Sequence, residues 1–565
     1  MLESFLFFIE VYVFRLLRKI WLIFEFSKYL AMTRYAFSAD ESFNINPLLK
    51  DYLTGQLPQY LYNRFADLEN IKVQIDQKSS SYNHDFRSVL CDEIKTSYDA
   101  LNIDLEGTLV LKNLELLKEK NSFTVTTGHQ LNLFTGPVFF VYKILHTIVL
   151  CEKFRSEYPE FNFIPVYWMA SEDHDFEEIN HFQFKGKKFQ WNSEQQGAVG
   201  QFDLHGLEEV FKVFKSYLGR SKNDTELKLL FDSAYLKLDN LAQATHLIVH
   251  ELFERHGLIV LDADKKALKE LMIPLFKEEL ISNPSQTLVK DCSEKLSKKG
   301  YKAQVFPRPI NLFHLSEQER QRIDIDCNSY QLVNSKTNFS QEEILSEVEA
   351  YPERFSPNVI LRPLYQEYIL PNLMYVGGAG ELSYWFQLKS VFEHYQVAFP
   401  MLKLRHSVYA ADKKTYRKLQ KLNVVDGDLN NTKNQLINRW VRKVSNIPLE
   451  LTDFKALLNE QFNLLQERSK NTDRSFEGAV QAQRQKQMNG LDKLGKRLLL
   501  AQKRVLKDEI QRILVLYEFF YPLGKPQERV ENFSTFYSDY GSRFIEVVYT
   551  EFQKQTNSSV LFIEF

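Results

Sequence analysis

Residues Ser171-Glu172-Asp173-His174-Asp175-Phe176-Glu177-Glu178 set carboxylates and an imidazole side by side. Such groups can take up a proton, hold an ammonium or bind a cation. They directly follow Tyr167-Trp168-Met169, which reads as the end of a buried strand. In an open parallel sheet, ligands collect beyond the carboxyl ends of the strands. The plainer reading is a solvated acidic helix start, where Asp and Glu complement the helix dipole. Asp173, His174 and Asp175 are adjacent and point in different directions, so no dedicated metal is expected there. Magnesium arriving with a nucleotide suits the cluster better.

Two other segments have the makings of an anion site. Thr127 to Pro137 joins a strand to a helix, and a helix start offers unpaired N–H groups. Gly128 and Gly136 permit close backbone approach, and His129, Asn132 and Thr135 can donate hydrogen bonds. Against this stands a plain turn whose polar groups merely cap the helix. The second is Arg362-Pro363-Leu364-Tyr365-Gln366-Glu367, followed by Gly377-Gly378-Ala379-Gly380-Glu381. Arg362 can grip a carboxylate or phosphate with two hydrogen bonds. The glycine turn repeats the anion-site logic, although alone it is a weak signal. No Gly-x-Ser-x-Gly elbow and no GxxxxGK[ST] loop occurs, so no covalent nucleophile or P-loop is expected.

These groups need elements that bring them together. Phe123-Thr124-Val125-Thr126 predicts a strand, Thr127 to Gln130 a loop, Val138 to Phe154 a helix, and Phe163 to Trp168 a second strand. Strand, helix, strand implies a parallel sheet covered by helices. Residues 46–120 read as helical. Residues 185–305 read as an insertion with one buried strand, Leu258 to Leu261. Strands are then predicted at Leu373 to Val376 and Val397 to Phe399, with a helix from Leu382 between them. Leu451, Phe454, Leu458 and Leu465, then Leu491, Leu494, Leu498 and Val505, follow heptad-like spacing. They predict an antiparallel helical hairpin or short coiled coil, whose plain role is dimerisation or a structural arm.

The chain has 565 residues, enough for two to four units by the usual domain size. Its net charge of −2 gives no electrostatic case for nucleic-acid binding. Cys91, Cys151, Cys292 and Cys327 form no Cys-x-x-Cys clip and read as reduced thiols of a cytosolic protein. Residues 1–31 are rich in Leu, Phe and Ile, yet Glu3, Glu10, Arg15, Arg18, Lys19, Glu25 and Lys28 interrupt them. No run reaches the roughly 18 apolar residues a membrane span needs. The segment reads as an amphipathic surface helix or, the preferred reading, as sequence upstream of a start at Met32.

Taken together, the motifs resemble the BshC family of bacillithiol biosynthesis cysteine-adding enzymes. The resemblance rests on Thr127-Gly128-His129-Gln130 with Phe134-Thr135-Gly136-Pro137, and on Pro165 through Asn180. It continues through Phe355-Ser356-Pro357-Asn358-Val359, Arg362 through Glu367, Gly377 through Glu381 with Tyr384-Trp385, and Pro526-Gln527-Glu528-Arg529. It runs from about residue 33 to the C-terminus.

The resemblance implies an α/β fold: a Rossmann-like parallel-sheet core with inserted connecting segments, plus an α-helical coiled-coil arm. The expected boundaries are 32–184 and 306–430 for the core, 185–305 for the insertion, 431–525 for the arm and 526–565 for a C-terminal segment. The implied activity is joining L-cysteine to the glucosamine amine of glucosaminyl-malate, with ATP or a related nucleotide and, as an option, Mg2+. A cytoplasmic homodimer paired through the arm is expected.

Glu172, Asp173, His174, Asp175 and His129 are the implied catalytic residues. Gly128, Gln130, Asn132, Thr135, Gly136 and Trp168 are implied to bind substrate or nucleotide, as are Arg362, Gln366, Glu367, Gly377, Gly378, Gly380, Glu381 and Tyr384. The family admits Gln at the position of His129, so a strict catalytic role for His129 is not implied; no clear KMSKS-like loop is present, so the resemblance does not fix the mode of nucleotide use. The rival reading is a binding or scaffold protein in which the coiled coil is the working part.

Overall fold

A computed structural model describes residues 32–42, 45–316, 319–326, 329–557 and 559–565. The expectations for residues 1–31 and for Cys327 lie outside the described residues. The chain divides into two compact units. One comprises Ala36–Val408 with Glu528–Leu561; the other comprises residues 32–35, Tyr409–Gln527 and Phe562–Phe565.

The larger unit is built on five parallel strands: β1 (Ser122–His129), β2 (Asn162–Met169), β3 (Ile259–Asp262), β4 (Asn372–Gly377) and β5 (Met401–Leu404). Their spatial order is β5-β4-β1-β2-β3, with every neighbouring pair parallel. Strands covered on both faces read as unbroken apolar or β-branched runs. Accordingly Phe123, Val125, Ile164, Val166 and Val376 are all inaccessible to solvent.

Helix α1 (Phe139–Glu157) links β1 to β2 and is buried nearly all round, as its Phe, Val, Ile and Leu content requires. Tyr142 and His146 on α1 meet Phe552 of the C-terminal helix Arg543–Gln553. The segment expected as a separate C-terminal piece therefore packs on the core through residues 528–561.

Four features differ from the sequence reading. Thr127-Gly128-His129 is strand rather than loop, because it pairs in register with Tyr167-Trp168-Met169. The stretch read as an insertion supplies β3, an edge strand of the core sheet. The strand expected at Val397 to Phe399 lies instead at β5, four residues on. Residues 312–357, expected to be core, carry an antiparallel sheet of their own, Leu312–Leu315, Arg320–Asp326, Ser329–Leu332, Asn338–Ser340 and Phe355–Pro357.

Two short helices complete the framework of the site. Helix α2 (Leu361–Ile369) precedes β4, and α3 (Ala379–Trp385) follows it. In the smaller unit, α4 (Thr452–Ser469) and α5 (Arg474–Val505) form the arm. Lys455 pairs with Asp492, Asn459 with Arg484 and Gln466 with Glu477, so partner numbers fall as the others rise and the helices are antiparallel. Among the described residues no helix is long and apolar enough to cross a membrane.

Candidate active site

The strand order reverses between β1 and β4: one half of the sheet continues through β2 and β3, the other through β5. Such a switch point leaves a crevice at the carboxyl ends of the strands. A cavity of about 440 Å³ occupies it. The end of β1 contributes Gly128, His129 and Gln130; the end of β2 contributes Trp168, Glu172 and Asp173. Arg362 on α2, and Gly378, Gly380, Glu381 and Tyr384 around α3, line the opposite side. Tyr375, Arg320, Arg405 and Arg529 complete the wall.

The floor is an ion pair that the sequence reading missed. Lys143, on α1, places Nζ 2.9 and 2.8 Å from the two carboxylate oxygens of Glu381 and also donates to the Gly128 carbonyl. Glu381 in turn accepts from the Gly378 backbone N–H at 2.7 Å and the Tyr375 hydroxyl at 3.1 Å. Burial would raise the Glu381 pKa, but Lys143 and these donors outweigh it and hold the carboxyl down to about 2. The glycine turn therefore spends its leading amide internally and is not a ready anion cradle.

His129 lies between the rings of Phe139 and Phe140, at 5.2 and 5.3 Å. Burial, reinforced by the nearby Lys143 charge, pushes its pKa down to about 3, so the ring is neutral. Its Nε2 is buried without a hydrogen-bond partner.

The acidic segment splits. Glu172 is buried and pairs at 2.7 Å with Lys269, which also contacts Asp264. Burial is the main influence on Glu172 and raises its pKa despite Lys269. Asp173 accepts from Gln130 Nε2 at 2.8 Å and from the His174 backbone N–H at 2.8 Å. Burial opposes its ionisation, but His174, Gln130 and Arg320 hold it well below the usual carboxylate range. His174 is half-exposed, its Nδ1 3.0 Å from Arg320 Nη1, and it does not line the cavity. Asp175 is exposed and turned away with it onto a shallow surface dent. The order of residues along one tight turn makes this split unavoidable: neighbours cannot all face one way.

The basic wall is the larger omission of the sequence reading. Arg405, just past β5, is held by both oxygens of Glu528 at 2.9 and 2.6 Å and lies 4.9 Å over the Phe139 ring. Arg320, on the antiparallel sheet, donates to Ser356 Oγ and to the Pro357 carbonyl at 3.0 Å. Arg362 donates through Nη1 to Gln366 Oε1 at 3.0 Å and lies 5.9 Å over the Tyr375 ring. Arg362 Nη2 and Arg405 Nε are buried without a partner. Buried donors of charged groups are normally satisfied, so two bare ones beside a cavity point to an anionic ligand. Isolated arginines far apart in sequence carry no local signal, which is why spacing could not find Arg320 or Arg405.

Several expected residues stand apart from the cavity. Asn132, Thr135 and Gly136 belong to a buried knot instead. Asn532 Nδ2 donates there to the carbonyls of Phe134 at 2.7 Å and Gly136 at 2.5 Å, and Val138 N–H donates to the Glu531 carbonyl. Gln366 and Glu367 lie below the cavity: Gln366 Nε2 and Asn372 Nδ2 both donate to Glu367 Oε1, at 2.8 and 2.7 Å. Gly377 sits beneath the turn, its carbonyl accepting from Arg405 N–H. Cys91, Cys151 and Cys292 are buried thiols. Burial pushes the Cys151 thiol up to about 12, so it is no nucleophile. Among the described residues no three His, Cys, Asp or Glu side chains converge as metal ligands.

Two family models match end to end. Residues 32–406 match the bacillithiol biosynthesis BshC N-terminal Rossmann-like domain, and residues 408–562 match the BshC C-terminal coiled-coil domain. A protein of Flavobacterium johnsoniae named "Putative cysteine ligase BshC" is 47% identical over 502 residues, 89% of this chain and 94% of its own length. A protein of the same name from Christiangramia forsetii is 45% identical, covering 91% of this chain and 96% of its own. One from Cytophaga hutchinsonii is 34% identical, covering 88% and 92%. Both halves of the fold and these relatives agree: the chain belongs to the bacillithiol biosynthesis BshC family.

Proposed function

We propose that the protein is a ligase that joins the carboxyl group of L-cysteine to the glucosamine amine of glucosaminyl-malate, forming bacillithiol, with ATP or a related nucleotide activating the carboxylate. Family membership and the relatives' shared name support the cysteine-ligase part. One observation carries the rest. His129 Nε2, Arg362 Nη2 and Arg405 Nε are buried without partners on residues that line one cavity, and the carboxylates of Glu172 and Asp173 line the same cavity. That pairing suits a ligand set with both anionic and ammonium groups.

A carboxylate resists attack by an amine because oxide is a poor leaving group. In the proposed route a cysteine carboxylate oxygen bonds to phosphorus, and ADP or pyrophosphate departs. The sugar nitrogen then bonds to the acyl carbon, phosphate or AMP leaves, and the amine proton passes to a base. The ionised Asp173 is the acceptor we assign to the cysteine ammonium, and Glu172, which lines the cavity, takes the proton. Arg362, Arg405 and His129 hold the phosphate or malate oxygens, where preorganised donors favour developing negative charge. Mg2+, where used, would enter on the phosphates beside Asp173.

Purified full-length protein given cysteine, glucosaminyl-malate and ATP should yield bacillithiol by mass spectrometry. No amide with any nucleoside triphosphate, or faster coupling to another amine, would overturn the assignment. We also propose a cytoplasmic homodimer paired through the arm, on which Phe454, Leu457, Leu464 and Leu494 are more than half exposed. Light scattering should give twice the chain mass, and Leu457→Glu with Leu494→Glu should halve it.

A further inference from the structure

We propose that Lys143 is a positioning residue: with Glu381 it locks the floor of the cavity, and it acts on the ligand chiefly by holding Arg362 in place. The inference rests on the anionic ligand of the proposed function. It does not depend on which reaction follows.

Lys143 is buried, with a side chain 1% exposed. Its ammonium has three protons, and the three acceptors around it are the Gly128 carbonyl and the two oxygens of Glu381. Nothing is left for a ligand. The pair joins the end of β1, where Gly128 lies, to the turn after β4, where Glu381 holds the Gly378 N–H. These are the two strands between which the crevice opens. Glu381 also fixes the Tyr375 hydroxyl at 3.1 Å. The Tyr375 ring is stacked on Trp385 at 4.6 Å, with an interplanar angle of 21°, and the Arg362 guanidinium lies over the Tyr375 ring at 5.9 Å. A Cβ added at Gly128 would come within 3.4 Å of the Tyr375 hydroxyl and 3.7 Å of Arg362 Nη1, so these groups abut the β1 end closely. The chain of contacts thus runs from Lys143 through Glu381 and Tyr375 to the guanidinium whose Nη2 has no partner.

A purely structural ion pair would support the fold and leave the ligand indifferent. The two cases separate when both charges are removed together, because the uncompensated buried charge left by Lys143→Met alone is itself costly. Binding of malate and of inorganic pyrophosphate to the full-length protein would be measured by calorimetry, alongside thermal melting. Lys143→Met is expected to melt several degrees lower. Lys143→Met with Glu381→Gln is expected to regain most of that loss, yet to bind the tighter of the two anions about tenfold more weakly. In an Arg362→Met background the same two changes should produce little further weakening, since residues acting through one another are not additive.

Wild-type affinity in the neutral pair variant, or full additivity with Arg362→Met, would overturn the inference. So would a wild-type protein that binds neither anion. A wild-type protein that binds an anion but makes no bacillithiol would sink the proposed reaction and leave this inference standing.

Discussion

Arg362 and Asp173 illustrate how burial assigns different work to single side chains. Arg362 keeps one bare nitrogen beside the cavity while Gln366 holds the other. Arg362→Met should lower kcat/KM about 10- to 100-fold, the worth of a hydrogen bond to a charged group. Melting should fall by only a few degrees, since what the fold gives up is the Nη1 bond to Gln366 and the company of the Tyr384 hydroxyl. Asp173 is ionised inside the cavity and tied to Gln130, whereas His174 stands at its rim. Steady-state assays should therefore find Asp173→Asn much more damaging than His174→Ala. Equal losses would show that the rim takes part directly. Both residues were legible in the acidic motif; which of them faces inward was not, because that depends on the turn and on Arg320 reaching in from a separate sheet.

At the scale of elements, the loop between β1 and α1 sends Gln130 to the cavity and folds the rest, from Asn132 to Gly136, into the buried knot. Phe134 is buried against Phe182, Phe214, Phe231 and Phe533, which forces positive φ values at Phe134, Thr135 and Gly136. Gly136 has φ +63°, and a Cβ there would lie 2.6 Å from the Asn132 Cβ. Gly136→Ala should cost roughly 2–4 kcal/mol in urea unfolding, from strain and overlap combined. Asn532→Ala should cost about 2–3 kcal/mol by stranding two buried carbonyls. In both, anion affinity of the surviving folded protein should stay near wild type, because the knot does not line the cavity. The motif Phe134-Thr135-Gly136-Pro137 was visible in the sequence. Its purpose was not, since the partner Asn532 lies 396 residues from Gly136.

For the whole molecule, acid is the telling condition. Burial pushes His129 and His246 down to about 3, and His146 and His406 well below the ordinary 6.5. His146 and His406 are stacked at 3.8 Å and each accepts a backbone N–H at 3.1 Å, an arrangement that needs neutral rings. A histidine whose folded-state pKa is depressed contributes stability fully above its unfolded value of 6.5 and loses it as pH falls toward the folded value. The urea midpoint should accordingly drop between about pH 7.5 and pH 5. Glu381, held to about 2, adds to the loss only below its ordinary 4.5. A midpoint unchanged at about pH 5 would mean these rings already carry protons in the folded state.

By itself, the sequence determined the α/β core, the helical arm and the segments from which the site is drawn, because apolar periodicity and glycine turns are local properties. The motifs also carried the family. Only the tertiary structure decided which residues meet. Strand pairing turned Thr127 to His129 from loop into sheet, and moved an apparent insertion into its edge. Close packing sent Asn132, Thr135, Gln366 and Glu367 inward. It also brought Lys143, Arg320, Arg405 and Arg529, each from a different element, to the crevice or its floor. A charge is recognisable in sequence, but its partner is chosen by folding, and in this protein the partner decides whether a residue holds the site or meets the ligand.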